Sequence, residues 1–243
     1  MLYGDAMADN APLQKLVKRE ITQSMLDAIA AEHDKGRILL VATTNLDVRR
    51  PVVWNITEIA AEHRPDGLDL VHKILIASAA IPGTFPPVMI DVEAGGRRYQ
   101  EMHVDGGTAS QVFVYPSAIR LHELAERDRT LYVIRNARLD PEWAEVDRRT
   151  LPIAFRSITC LIHNQGIGDL YRIYAIAQRD HIRFRLAYIP GSFSTPHTAE
   201  FDTNYMRALF TLGEGEAAEG KEWLDRPPTL LSGVDEEAPP DSR

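Results

Sequence analysis

Residues 74–107 read ILIASAAIPGTFPPVMIDVEAGGRRYQEMHVDGG, and the fold turns on how they are divided. An apolar helical run ends in the small residues Ala77, Ser78, Ala79 and Ala80. Pro82, Pro86 and Pro87 then forbid helix and leave an irregular apolar loop. Residues 88–93 read as a strand, Ala94-Gly95-Gly96 as a hairpin turn, and 99–104 as the returning partner. Asp105-Gly106-Gly107 stands at that strand's end.

Outward from this stretch, helices and strands alternate. Asn10 is placed to cap a first helix with Leu13, Leu16 and Val17 at helical spacing. Thr22 opens a second, with Met25, Leu26, Ile29 and Ala30 on one face and Gly36 ending it. Residues 37–44 (RILLVATT) form a nearly continuous apolar run, the pattern of a strand buried on both faces, with 51–54 as its partner. Short helices are expected at 56–62 and 68–78. Downstream, 116–125 reads as a helix and 130–135 (TLYVIR) as another buried strand. A long helix over 150–178, with Gly166 and Gly168 as weak points, precedes a strand at 183–189 and a last helix at 203–218. This alternation predicts an α/β layered domain over residues 1–225. From 226 to 243 the chain is acidic and rich in proline, with little to bury, and is expected to be disordered.

The chain has 243 residues, enough to bury a sizeable core. Its 27 basic side chains against 35 acidic ones leave a net charge of -8, which disfavours general nucleic-acid binding. The single cysteine, Cys160, excludes an internal disulfide or a thiolate metal cluster. The most apolar stretch, 74–90, is too broken by proline and glycine to span a bilayer. Residues 1–12 hold no basic region followed by an apolar run, so no signal peptide is visible.

A carboxylate at a strand end followed by two glycines is held by rigid backbone yet left uncovered. Asp105-Gly106-Gly107 fits that description, and it equally fits a tight surface turn. The loop at 81–88 is too apolar for ordinary solvated surface; it either packs as a buried connector or lines an apolar pocket.

The pieces ASAAIPGTFPPV (77–88) and HVDGG (103–107), with TTNLDVRRPVVWN (43–55) and EFDTNYMRALFTLGEGEAAEG (200–220), make the chain similar to the patatin-like phospholipase family of bacterial type. The resemblance runs from residue 2 to about 223 and implies a doubly wound layered α/β fold. It also implies a lipid acyl hydrolase acting through a Ser-Asp dyad, without a cofactor, on a lipid or acyl-ester substrate and often at a membrane surface. Asp105 matches the dyad's proton acceptor, Gly106 and Gly107 complete its motif, and Ile81, Pro82, Phe85 and Pro86 become candidates for the substrate pocket. A carboxylate is a weak base for a serine hydroxyl, so it must lie within roughly 2.6–3.2 Å and be partly desolvated.

The family's other half is not in the sequence. A nucleophile elbow requires Gly-x-Ser-x-Gly, because the serine sits on a strained turn that only small neighbours permit. None of Ser24, Ser78, Ser110, Ser117, Ser157, Ser192, Ser194, Ser232 or Ser242 is so flanked, and no Gly-x-Gly-x-x-Gly or Gly-Gly-Gly loop offers N–H groups to an oxyanion. In the family both motifs lie N-terminal to this region. The expectation is therefore a C-terminal portion that lacks its nucleophile segment and central strands, is inactive and poorly stable alone, and has lost any export or lipidation signal preceding Met1.

Other chemistries are weaker. His103 and Asp105 share a strand face, yet a third metal ligand would have to come from His63, His72, His122 or His163, none at telling spacing. No metal is expected, and His103 reads as a packing or hydrogen-bonding residue. Cys160, among Ile158, Leu161 and Ile162, reads as an inert thiol in a helix core. Tyr171, Tyr174 and Tyr188 read as packing residues. Residues 151–176 fit either a membrane-surface helix or a half-buried one. Two functions stand: an acyl hydrolase completed by a missing segment, or a non-catalytic remnant that binds lipid or a partner through the apolar loop.

Overall fold

The structure, a computed structural model, describes residues 6–114, 128–140, 143, 145–196 and 202–228. The helix expected at 116–125 and most of the tail lie outside the described residues. The chain forms two compact units, Met1–Val112 and Phe113–Arg243.

In the first unit, α1 (Ala11–Glu20) and α2 (Gln23–His33) precede β1 (Leu40–Asn45) and β2 (Arg50–Asn55). Helices α3 (Ile56–Ala61) and α4 (Gly67–Ser78) then lead to β3 (Val88–Ala94) and β4 (Arg97–Asp105). Thr22 caps α2 by accepting from the Met25 N–H, while Asn10 makes no side-chain cap bond to α1 and instead takes the amide of Gln14. The strands form one antiparallel sheet in the order β2-β1-β4-β3. The β3–β4 hairpin turns through Gly95 and Gly96, both at positive φ, as the sequence predicts.

The core of this unit gathers Leu26 and Ala30 of α2, Ile56 and Ala60 of α3, Val71 and Ile74 of α4, and Ile90 of β3. Helices thus cover one face of the sheet. The reading of 37–44 as buried on both faces is corrected here. Ile38, Leu39 and Leu40 are exposed, and only Thr43, Thr44 and Asn45 are fully enclosed. The reason is local: the β1–β4 ladder covers only Thr43–Asn45, so the start of β1 has β2 on one side and solvent on the other.

In the second unit, β5 (Thr130–Arg138) and β6 (Arg183–Ile189) pair in parallel, with α5 (Thr150–Arg179) in the connection between them. The last helix, α6 (Thr203–Glu219), is capped by Asp202, which accepts from the N–H groups of Asn204 and Tyr205. β5 is not a fully buried strand. Val133 and Arg135 face inward, whereas Ile134 is exposed and Tyr132 is only partly covered, by the edge of Trp223, because among the described residues helix packs on one face of the pair. Gly166 does not weaken α5. It clears space for the buried Arg135 guanidinium, which faces Asp169 one turn further on. Cys160 is exposed, contrary to the helix-core reading, since burial along α5 begins only at Gly166.

Candidate active site

The end of β4 is fastened to the end of β1. Thr43 and Asp105 are register partners, as are Thr44 and Val104, and Asn45 and His103. The Thr44 hydroxyl donates to the Asp105 carbonyl at 3.0 Å, and the Asp105 N–H donates to the Ala80 carbonyl at 2.9 Å. Asp105 is thereby pinned between β1 and the residue that opens the proline loop. This is the geometry of a strand-end carboxylate on rigid supports.

Asp105 caps the single 3₁₀ turn Gly106–Thr108, its Oδ1 accepting from the Gly107 N–H at 2.7 Å. Burial pushes its carboxyl above the ordinary aspartate range, and the Gly107 bond pulls the other way without cancelling that effect. Its Oδ2 makes no hydrogen bond among the described residues and is not sealed in, so one oxygen is held and the other is open.

Each glycine has its own reason, and neither is a left-handed turn. A Cβ on Gly106 would lie 2.5 Å from the Ala42 carbonyl oxygen, and one on Gly107 would meet the Gln111 amide at 2.7 Å. Gly106 lets β4 run against the β1 backbone; Gly107 leaves room for Gln111, whose amide donates to the Gly107 carbonyl at 2.9 Å.

His103, two residues before Asp105, is completely enclosed at 0% exposure. Trp54 Nε1–H donates to Thr43 Oγ1 at 2.8 Å, and that oxygen lies 2.9 Å from His103 Nδ1. His103 Nε2 faces Glu101 Oε2 at 3.3 Å. An indole nitrogen can only donate. The arrangement that leaves no proton orphaned therefore runs one way, from Trp54 to Thr43 to Nδ1, with Nε2–H directed at Glu101. Both ring nitrogens are engaged, and neither is left for Asp105. His72, another of the metal candidates, meets the Ile21 carbonyl through Nε2 at 2.7 Å. Among the described residues no three His, Cys, Asp or Glu side chains gather as a metal site would require.

The loop carrying the pocket candidates begins at Ala80 and is closed by the Ile81 carbonyl, which accepts from the N–H groups of Thr84 and Phe85. Ile81 is exposed, and Pro82, Phe85 and Pro86 are half-buried. Thr43, Trp54, Glu101 and Gln111 were not singled out from the sequence as parts of this site. Thr43 and His103 are 60 residues apart, and no local spacing signals their bond. A separate open cleft of about 680 Å³ lies in the second unit, lined by Tyr174, His181, Arg183, Arg185 and Arg226 among others, and none of residues 81–87 or 103–107 lines it.

Fold and site together define a mixed α/β protein with a desolvated carboxylate on a Gly-Gly turn. The family model described as Patatin-like phospholipase matches residues 2–116, a little under half of the chain, and over this segment the chain is similar to that family. The match takes in the proline loop and Asp105-Gly106-Gly107 but ends well short of residue 223, so 200–220 lies outside it. No curated protein matches the chain.

Proposed function

We propose that Asp105 is the proton acceptor of a Ser-Asp dyad in a lipid acyl hydrolase, and that the serine comes from a segment outside this sequence. The observation that carries this reading is the Asp105 carboxylate itself. It is desolvated and fixed by backbone on both sides, with one oxygen engaged by Gly107 and the other open. In the reaction, the serine O–H proton passes to that open oxygen as Oγ bonds to the ester carbonyl carbon. The tetrahedral intermediate expels the alcohol, which takes up the proton, and water then cleaves the acyl-serine by the same route.

Gly106 and Gly107 hold the acceptor's geometry, and Ile81, Pro82, Phe85 and Pro86 are the acyl-facing side chains. Their loop begins at the carbonyl that binds the Asp105 N–H, so acyl chain and base would share one support. The full fold in this reading is doubly wound, with further strands beside those described. The parallel β5–β6 pair and the exposed Tyr132 and Ile134 support it, since a doubly wound sheet carries helices on both faces and a second helical layer would cover such apolar surface.

The chain as given is then inactive. Incubated with a fluorophosphonate probe and weighed intact, it is expected to show no adduct and no turnover of short acyl esters. An adduct at any serine would overturn the proposal that the nucleophile lies elsewhere.

A further inference from the structure

We propose that the cleft at the start of β6 is a binding site for a small phosphomonoester dianion, with Arg185 and Arg226 as the groups that hold it. The proposal goes beyond the hydrolase reading and stands whether or not Asp105 takes a proton, because neither the proline loop nor the Asp105 turn lines this cleft. Its origin is a period of two in the sequence. Ile182, Phe184 and Leu186 turn to the core at 7%, 3% and 0% exposure. His181, Arg183 and Arg185 alternate with them and line the cleft, joined from the C-terminal stretch by Asp225 and Arg226. A backbone bridge brings that stretch in, since Leu224 and Leu186 exchange both N–H to carbonyl bonds at 2.8 Å.

The charge balance selects the ligand. Three guanidinium groups line the cleft against one carboxylate, Asp225, in a chain of net charge -8. Arg183 is already engaged: it pairs with Asp128 at 2.6 Å, and its Nε meets Thr130 Oγ1 at 3.3 Å. Asp180, beside the turn into β6, is buried and tied to Arg179 at 2.9 Å. Arg185 is half-buried and Arg226 exposed, and among the described residues neither makes a hydrogen bond or ion pair, with Asp225 or any other group. Guarding an open strand edge does not account for them, because Leu224 already closes the β6 edge at Leu186. Each arginine fork can take two oxygens of a phosphate at once. Two forks suit a terminal phosphate, with three free oxygens and close to two charges, better than a carboxylate or a phosphodiester with one charge. The cleft, at about 680 Å³, exceeds a bare phosphate ion and leaves room for an organic part beside Tyr174 and Phe184. A polyanion is disfavoured by the negative charge of the chain as a whole.

The test is calorimetric titration of the 243-residue chain at low salt with glycerol 3-phosphate, inorganic phosphate and glycerophosphocholine. Glycerol 3-phosphate and inorganic phosphate are expected to bind at one site, the former more tightly, and both to weaken with added sodium chloride. Glycerophosphocholine, whose phosphate is a diester, should bind about tenfold more weakly than glycerol 3-phosphate. Arg185→Gln and Arg226→Gln should each weaken glycerol 3-phosphate about tenfold, the loss of one charge-assisted contact. Arg226 is exposed, so its replacement leaves the fold intact. Arg98→Gln removes the same charge from the β3–β4 hairpin of the other unit and should leave the affinity unchanged. The proposal is overturned by no binding of either phosphate, by parent affinity in both cleft variants, or by an equal loss from Arg98→Gln and Arg185→Gln. Glycerophosphocholine binding as tightly as glycerol 3-phosphate overturns it too, since the cleft would then take a lipid-type diester instead of a dianion.

Discussion

Asp105→Asn, made in a polypeptide that also carries the nucleophilic serine, is expected to lower kcat by about 10²–10⁴-fold, the usual worth of a positioned general base. The amide keeps the shape of the carboxylate, and its oxygen can still accept the Gly107 N–H bond. What it cannot do is take a proton. KM should change little, because the loss falls on a step made only in the transition state. Stability should not fall with activity. The folded carboxyl titrates above its unfolded value, so the folded state holds its proton more tightly. Stability from this group is therefore full below the ordinary aspartate range and is lost as pH rises through the folded pKa. At neutral pH the charge opposes folding, and Asp105→Asn should leave the melting midpoint equal or higher. Near-normal kcat would remove Asp105 from the mechanism.

Gly106→Ala is the counterpart: a structural loss with the carboxylate still present. The new methyl would lie 2.5 Å from the Ala42 carbonyl oxygen and 2.9 Å from its Cβ. Backbone cannot swing aside as a side chain can, so β1 and the turn after β4 must separate. That separation strains the Thr44 hydroxyl bond to the Asp105 carbonyl. The expected cost is toward the upper end of about 1–3 kcal/mol, and a chain of this size loses roughly 2–4 °C of melting temperature per kcal/mol. Thermal unfolding of the two chains side by side checks it. A variant within half a degree of the parent would mean that the β1–β4 approach is looser than these distances state.

The elements were legible in the sequence where their cause is local. The strand at 183–189 matches β6, the Gly95-Gly96 hairpin is where its glycines place it, and α5 differs from its expected end by one residue. Burial was less legible, because it depends on what a strand's neighbours do. Residues 37–44 and 130–135 have the composition of doubly covered strands, yet the sheets they join leave Leu40, Tyr132 and Ile134 in solvent. Asp105-Gly106-Gly107 stood out as a carboxylate beside two permissive residues. The reason for Gly106, a close pass over Ala42 more than sixty positions away, exists only after β1 and β4 have paired. The Trp54–Thr43–His103 chain of hydrogen bonds was hidden for the same cause, although all three of its members lie within the stretches 43–55 and 103–107 that carried the family resemblance.

The most direct measurement is a carboxyl-carbon NMR titration of Asp105 in the 243-residue chain, with the resonance assigned by its loss in Asp105→Asn. A desolvated acceptor with one open oxygen should titrate above the ordinary aspartate value. A midpoint at or below that value would describe a solvated or ion-paired carboxylate and would contradict the role of Asp105 as a base.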